Sequence, residues 1–191
     1  MAQSDNPTDI PEGIAESWQI IHGYSISIRP LRSADLDIES AFVEGLSRQT
    51  RHNRLLGGSI NISRAYLEQL VSFDYRRQMA LAAVVMTEDS EVLIGVARYV
   101  MQSDAESGLP AGTPAPCEFA IVLADAWQGR GIGHRMLQKL IDVARSRGIP
   151  QMYGDILSAN RSMLDMVRRL GFRSARHPDD STVTRAVLAL V

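Results

Sequence analysis

The chain contains a glycine-rich segment whose residue types and spacing could bind a phosphate group. It begins at Gln128 and reads Gln-Gly-Arg-Gly-Ile-Gly. A short apolar run at residues 119–123, typical of a buried strand, precedes it, and apolar residues at helical spacing follow it. The first N–H groups of a helix have no internal partner and carry partial positive charge, and glycines let an anion approach the backbone closely. This order of strand, turn and helix predicts a phosphate-binding loop.

Three known phosphate loops can be compared with this segment. A Walker A loop requires Gly-Lys-Ser or Gly-Lys-Thr, which occurs nowhere in the chain. The dinucleotide pattern G-x-G-x-x-G differs in spacing from the G-x-G-x-G found here, where His134 follows the last glycine. The pattern Q/R-x-x-G-x-G/A matches residues 128–133 throughout. The remaining alternative is a tight turn in which the glycines serve backbone geometry only.

The full segment, from the apolar strand through Trp127 and the glycines into the amphipathic helix, resembles the pyrophosphate-binding motif of the GNAT superfamily of CoA-dependent N-acyltransferases. A second pattern, Asn160 followed at a distance by Gly171 and Phe172, resembles the C-terminal motif of the same superfamily. The resemblance implies an α/β (α+β) GNAT fold with a mixed central sheet of about seven strands and about four helices. It also implies acetyl-CoA as the co-substrate.

The elements predicted along the chain follow the order of that fold. Residues 1–22 begin with polar residues and show no clear period, so we expect an N-terminal arm before a single domain at residues 23–191. Ser33 is the predicted N-cap of the first helix. We predict that the strands at residues 78–86 and 92–101 form a β-hairpin and that residues 102–116 form a loop. We predict strands at residues 24–29, 78–86, 92–101, 119–123, 152–157, 172–176 and 183–190, and helices at residues 33–46, 63–73, 132–148 and 160–170.

The resemblance assigns the CoA-binding roles to particular residues. The backbone of Ile121, Val122 and Leu123 would bind the pantetheine arm as a neighbouring strand does, and the amide near the end of that strand would polarise the thioester carbonyl. Asn160 would hydrogen-bond the same arm; a helix N-cap is an alternative role, and the two can coexist. The residues that would hold the pyrophosphate are Gln128, Gly129, Arg130, Gly131, Ile132, Gly133 and His134.

Glu118 is the predicted general base. Attack on a thioester requires a neutral amine, and for a lysine side chain with a pKa near 10.4 that form costs about 4–5 kcal/mol at pH 7. A charged residue rarely starts a buried strand without a partner or a task, although an exposed strand-end glutamate is the alternative. Many superfamily members protonate the leaving thiolate with a tyrosine seven residues after the asparagine. Here Val167 occupies that position, so the role is vacant or filled by water.

Two further features leave alternatives open. Residues 46–55 carry three arginines and a histidine, and they form either a solvated turn or half-helix, or part of the acceptor pocket that this region borders in the superfamily. Cys117 could be an acyl-carrying nucleophile, but no histidine lies near it in sequence and single buried cysteines are usually inert. We therefore assign no covalent role to Cys117.

Three stretches, residues 46–54, 117–131 and 160–172, resemble the bacterial protein-lysine acetyltransferase branch, which has a glutamate at the position of Glu118. We therefore predict an acetyl-CoA-dependent N-acetyltransferase that acts on a protein lysine by direct transfer in a ternary complex. A small-molecule amine is the alternative acceptor. A non-catalytic acyl-CoA sensor is a rival function that Val167 favours and Glu118 opposes.

Composition argues against several other classes. The 191 residues suit one domain, and a net charge of −2 gives no general attraction to nucleic acid or anionic membrane. No apolar run reaches the roughly 20 residues of a membrane span. One cysteine cannot form an internal disulfide, which fits the cytoplasm, and four scattered histidines offer no metal-ligand spacing, so we expect no metal. A homodimer formed through the last strands follows from the resemblance alone.

Overall fold

The computed structural model describes residues 14–19, 24–58, 63–71, 74–88, 90–110 and 113–191. These residues form an α/β fold around a mixed eight-stranded sheet with the strand order β1-β2-β3-β4-β5-β6-β8-β7. The strands are β1 (Glu16–Gln19), β2 (Ser25–Pro30), β3 (Gln78–Met86), β4 (Glu91–Met101), β5 (Cys117–Leu123), β6 (Gln151–Leu157), β7 (Arg173–Arg176) and β8 (Val183–Ala189).

The described residues include five helices longer than one turn and one short helix, α4. None of them has both the length and the apolar character that crossing a bilayer requires. The helices are α1 (Leu36–Gly45), α2 (Arg48–Arg54), α3 (Arg64–Leu70), α4 (Asp104–Ser107), α5 (Ile132–Ser146) and α6 (Arg161–Arg169).

Strand β5 lies at the centre of the sheet and has two different neighbours. It pairs antiparallel with β4 over its whole length, from Gly95 opposite Leu123 to Met101 opposite Cys117. Its pairing with β6 is parallel, and α5 makes the crossover between the two strands. All other neighbouring strands are antiparallel. The predicted β3–β4 hairpin and the predicted parallel relation of β5 and β6 are both confirmed.

The sheet separates two layers of helices. Residues alternate between the two faces of a strand, so Ala120 and Val122 of β5 share one face while Ile121 and Leu123 share the other. Ala120 and Val122 line a cavity together with residues of α1, α2 and α3. Gly133, in the first turn of α5, lies against Ile121 and Leu123 on the opposite face. The predicted apolar face of α5 is confirmed by its buried residues Ile132, Met136, Leu137, Leu140, Ile141 and Ala144.

The structure differs from the prediction at the N-terminal side of the sheet. Strand β1, within the predicted arm, pairs with β2, and its Glu16 forms ion pairs with Arg135 and with Lys139 (2.6 Å) of α5. The sheet therefore has eight strands where about seven were predicted, and it begins before residue 23. Residues 1–13 and 20–22 of the predicted arm lie outside the described part of the chain.

The first predicted helix begins later than its sequence suggests. Ser33 is not the N-cap of α1, because residues Ser33–Asp35 form a 3-10 turn and α1 starts at Leu36. The Asp35 carboxylate accepts a hydrogen bond from the backbone N–H of Arg32 at 2.8 Å and pairs with both terminal nitrogens of the buried Arg29. The ion pair between Arg29 of β2 and Asp35 therefore holds the 3-10 turn against β2.

A tight contact marks the place where β5 and β6 separate. A Cβ built on Gly154 of β6 would lie 2.5 Å from the ring of Phe119, which in turn packs edge-on against Phe172 at a centroid distance of 5.2 Å. The Phe119 ring thus occupies the space that a side chain at residue 154 would need. The glycine is required here for packing, and the ring fills the base of the opening between the strands.

Replacing Gly154 by alanine should therefore destabilise the fold. An extra methyl group in a closely packed core typically costs about 1–3 kcal/mol, and urea unfolding should show a loss of that size. The double variant Gly154→Ala, Phe119→Leu is the control, because a smaller side chain at 119 relieves the clash. Its loss should be smaller than the sum of the two single losses. Additive losses would show that the ring and the glycine do not interact.

Candidate active site

The open edge of β5 is the first component of the site. Its pairing with β6 is limited to Cys117 with Met152 and Glu118 with Tyr153, after which the two strands diverge. From Phe119 onward, the β6 side of the strand has no strand partner among the described residues, whereas the β4 side remains fully paired. The half-buried residues Ile121, Val122 and Leu123 lie along this edge, where an extended ligand can hydrogen-bond like an added strand.

The glycine loop follows directly and presents backbone donors. Gly129 and Gly131 have φ values of +71° and +82°, and a Cβ at either position would meet no atom within 4 Å. Gly131 is the N-cap of α5, with no side-chain cap, and the first helical bond runs from Arg135 N–H to Gly131 C=O at 3.1 Å. The N–H groups of residues 132–134 therefore have no partner within the helix. This geometry can bind an anion such as a phosphate group.

The third glycine of the motif, Gly133, has a different task. A Cβ on it would lie 3.1 Å from Leu123 Cδ1 and 3.3 Å from Met166 Sδ. The absence of a side chain lets the first turn of α5 approach β5 and α6 closely. This packing places the free N–H groups of the helix next to the open strand edge.

The side chain of Gln128 is engaged within the protein. Its amide nitrogen donates to Leu123 C=O at 3.0 Å and to Thr50 Oγ1 at 3.1 Å. The neighbouring Asp125 accepts hydrogen bonds from Ser47 Oγ at 2.7 Å and Thr50 Oγ1 at 2.8 Å, which lower the pKa of its carboxyl group. Gln128 and Asp125 thus join α2 to the turn after β5. Sequence reasoning missed this connection, because its members lie 75–78 residues apart.

The other predicted cofactor residues lie around the same loop. Arg130 is exposed, with its Nε donating to Ala126 C=O at 3.0 Å and its guanidinium 5.9 Å from the centre of the Trp127 ring, and His134 is exposed on the first turn of α5. Asn160 caps α6, accepting a hydrogen bond from Met163 N–H through Oδ1 at 3.2 Å. The N-cap alternative for Asn160 is therefore realised.

The residues proposed for acid–base chemistry have contrasting environments. Glu118 is exposed and shares the sheet face of Ala120 and Val122, because strand residues alternate. Val167 is fully buried, in agreement with its predicted place on the core face of α6. Cys117 is also fully buried, and burial raises the pKa of its thiol to about 12. The thiolate of Cys117 is thus not accessible at neutral pH, which agrees with assigning it no covalent role.

A cavity of about 350 Å³ adjoins β5 on the face opposite α5. It lies between β4, β5 and the helices α1, α2 and α3. The arginine-rich segment forms α2 and contributes to its wall, so the structure favours the pocket interpretation over the solvated turn. The lining residues are Glu39, Phe42, Val43, Leu46, Arg48, Arg51, His52, Arg54, Leu55, Gly58, Tyr66, Leu70, Val96, Arg98, Ala120 and Val122.

A buried ion pair in this cavity was missed by sequence reasoning. Glu39 of α1, only 2% exposed, lies 3.5 Å from the Arg98 guanidinium of β4. Burial outweighs the attraction of Arg98 and Arg54 and raises the pKa of Glu39 to about 7. The sequence signal was a carboxylate within the apolar stripe of α1, three residues after Leu36 and four before Val43.

The raised pKa of Glu39 predicts a pH-dependent stability. Between about pH 4.5, its ordinary pKa, and about pH 7, the folded state binds the proton more tightly than the unfolded state. Rising pH across this window should therefore lower the free energy of unfolding, by up to about 3 kcal/mol from this group. Urea unfolding at pH 5 and pH 8 should show the effect in the wild type and not in Glu39→Gln. An identical pH dependence in both proteins would contradict it.

Comparison with known proteins identifies relatives of this chain. Residues 58–172 match the family described as "Acetyltransferase (GNAT) family". The chain is 42% identical to "Acetyltransferase PA5475" of Pseudomonas aeruginosa over 88% of this chain and 86% of the relative. It is also 30% identical to the "L-methionine sulfoximine/L-methionine sulfone acetyltransferase" of the same organism, over 52% of this chain and 55% of that protein.

Solved structures share the fold. The GNAT domain of S. lividans PAT superposes with a TM-score of 0.79 at 24% identity, covering 94% of this chain and 99% of that one. The structure of yncA from Salmonella typhimurium with its cofactor acetyl-CoA superposes with a TM-score of 0.61 at 21% identity. That superposition covers 87% of this chain and 94% of yncA.

Proposed function

We propose, since this chain belongs to the acetyltransferase (GNAT) family, that it transfers the acetyl group of acetyl-CoA to a primary amine by direct attack in a ternary complex. The observation that carries the proposal is the open edge of β5 leading directly into the uncapped first turn of α5. An extended ligand that carries a diphosphate could hydrogen-bond first to the edge of β5 and then to the N–H groups of the first turn of α5. Residues 121–123 would bind the pantetheine arm, and residues 128–134 the pyrophosphate.

The residues present fit acetyl-CoA in three respects. The strand edge offers backbone donors and acceptors, the first turn of α5 offers N–H groups with positive dipole, and the loop glycines leave open space beside them. Bound acetyl-CoA supplies the acetyl group as a thioester. The protein binds and orients it, with Gln128 holding the loop through its side-chain contacts rather than offering its amide nitrogen to a phosphate.

Glu118 is proposed as the general base. Its side chain shares the face of β5 on which Ala120 and Val122 line the cavity, although Glu118 itself lies outside that lining. In this proposal an amine enters from the cavity and attacks the thioester at the strand edge. Glu118 takes the proton of the amine as the new C–N bond forms and the C–S bond breaks. Because the buried Val167 has no proton to give, protonation of the leaving thiolate falls to solvent.

Two classes of acceptor amine have support. The protein-lysine acceptor is supported by the resemblance of residues 46–54, 117–131 and 160–172 to the lysine-acetylating branch. The small-molecule amine is supported by a different observation, the cavity of about 350 Å³ beside β5. A relative that matches half of this chain is named for transfer to a methionine derivative, which favours the same alternative.

CoA release from acetyl-CoA is the measurement that tests the proposal. The protein is mixed with acetyl-CoA and, separately, with a pool of lysine-bearing proteins and a panel of small amines, while acetyl-CoA affinity is measured calorimetrically. Release in either arm supports the enzyme and identifies the acceptor class. Tight acetyl-CoA binding without release in any arm would contradict transferase function and favour the acyl-CoA sensor.

A further inference from the structure

We infer that the cavity beside β5 accepts a small primary amine that also carries a carboxylate, and that the arginines of α2 bind this carboxylate. The inference deepens the proposed acetyl transfer and rests on it for the identity of the reaction. It concerns which amine the cavity selects. The argument depends on the charges that line the cavity, on their partners and on their burial.

The cavity is strongly cationic although the chain as a whole is not. The described residues of its wall include four arginines and a single carboxylate, that of Glu39, whereas the chain carries a net charge of −2. The local excess is therefore a property of this site and not of the general composition. A cationic amine with no compensating charge, such as an isolated lysine side chain, would be repelled by such a wall.

The carboxylate of Glu39 already has an ion-pair partner. Glu39 pairs with Arg98, and burial raises its pKa, so its negative charge at neutral pH is incomplete. Arg54 lies close enough to this pair to influence the pKa of both members. One partly ionised carboxylate therefore faces at least two guanidinium groups, and the positive excess of the cavity remains.

The arginines of α2 have no salt-bridge partner among the residues that the structure describes. Arg51 and Arg54 are half-buried and Arg48 is exposed, and all three line the cavity. Partly buried guanidinium groups without an ion-pair partner are costly, and Arg54 has only the longer-range attraction of Glu39. A carboxylate is the group that paired guanidinium N–H donors match best. The spacing of Arg51 and Arg54 by three residues places them on the same side of α2.

The position of these arginines also suits the reaction. Helix α2 is joined to the turn after β5 by the hydrogen bonds of Thr50 and Ser47 to Asp125. Val122 of β5 lines the same cavity and belongs to the strand edge proposed for the thioester. A carboxylate held at α2 leaves the amine of a short molecule, such as an α-amino acid, directed toward β5.

The test compares amines that differ only in the carboxylate. Protein saturated with CoA is titrated calorimetrically with the proteinogenic L-α-amino acids, with their amides, and with a capped lysine peptide; CoA release from acetyl-CoA is then measured with the same compounds. We expect at least one amino acid to exceed its amide by about tenfold or more in affinity and in kcat/KM. The amino acid should be preferred even though the amine of its amide is less basic and therefore more often in the neutral form that attacks.

The variant Arg51→Gln, Arg54→Gln should reduce that preference by about tenfold or more while leaving the acetyl-CoA affinity unchanged. Arg51→Lys, Arg54→Lys should keep part of the preference, because the charge remains. Arg64→Gln is the matched control: Arg64 lies on α3, is 82% exposed and pairs with Glu68 outside the cavity lining. It should behave as the wild type does.

Three outcomes would overturn the inference. The first is that amino acids, their amides and the lysine peptide are used equally well, and the second is that the double glutamine variant keeps the wild-type preference. The third is that this variant loses acetyl-CoA affinity, which would assign the arginines to cofactor binding. The proposed acetyl transfer fails separately, if no amine gives CoA release. In that case the titrations still decide the inference, since binding of amino acids and not of amides supports it, and binding of neither contradicts it.

Discussion

Replacing Glu118 by glutamine is expected to lower kcat for acetyl transfer by about 10²- to 10³-fold, within the range that a positioned general base contributes. Glutamine keeps the size and polarity of the side chain but cannot accept a proton. A lysine-like amine then has to lose its proton before attack, at a cost of about 4–5 kcal/mol at pH 7. The acetyl-CoA dissociation constant, measured calorimetrically, should not change, because Glu118 is exposed and lies outside residues 121–123 and 128–134.

A matched control is available in Glu88→Gln. Glu88 is also exposed, but it lies in the turn between β3 and β4, at the opposite end of β4 from Val100, the register partner of Glu118. Its replacement should leave kcat unaltered. If Glu118→Gln retained wild-type kcat, Glu118 would be an exposed strand residue without a catalytic role. A parallel loss of acetyl-CoA affinity would instead point to a role in binding.

Gly131→Ala is expected to weaken acetyl-CoA binding by about tenfold or more. Its φ of +82° is left-handed, and an alanine there costs about 1–2 kcal/mol unless the backbone shifts. A shift at this residue turns the N–H groups of residues 132–134, on which the proposed phosphate binding depends. A Cβ at Gly131 would also enter the open space beside these groups. Calorimetric titration with acetyl-CoA measures the effect.

Gly148→Ala separates the loss of binding from the loss of stability. Gly148 has a φ of +67° and open space around its Cβ position, but it follows the C-terminal end of α5. The two variants should therefore lose similar stability in thermal unfolding, and only Gly131→Ala should lose acetyl-CoA affinity. Equal affinity losses in both would mean that general loosening of α5, rather than the loop conformation, governs binding.

Those features of the molecule that depend on local periodicity could be predicted from the sequence. The apolar stripe of α5, the β3–β4 hairpin and the N-cap position of Asn160 each involve residues within a few turns or one hairpin of one another. The parallel relation of β5 and β6 follows from the handedness rule for a strand, helix and strand. The glycine loop was recognisable because a phosphate requires its donors from one short continuous segment.

Strand β1 could not be predicted in the same way. Its sequence, Glu-Ser-Trp-Gln, is four residues long and has no strong alternation. It forms a strand because β2 offers an edge, and because Glu16 reaches Lys139 at a separation of more than one hundred residues. Such pairings depend on the assembled sheet, and no local pattern encodes them.

By itself the sequence determined the order of the elements from β5 to the C-terminus and the family-specific glycine loop, but not β1, α2 or the short α4. Only the tertiary structure decided what surrounds the reaction. It brought Glu39 against Arg98 and linked α2 through Thr50 to Gln128. It also separated β5 from β6 at Phe119. Each of these contacts joins residues from distant parts of the chain, and their energies depend on burial and distance. Those quantities exist only once the sheet and its two helical layers have packed together.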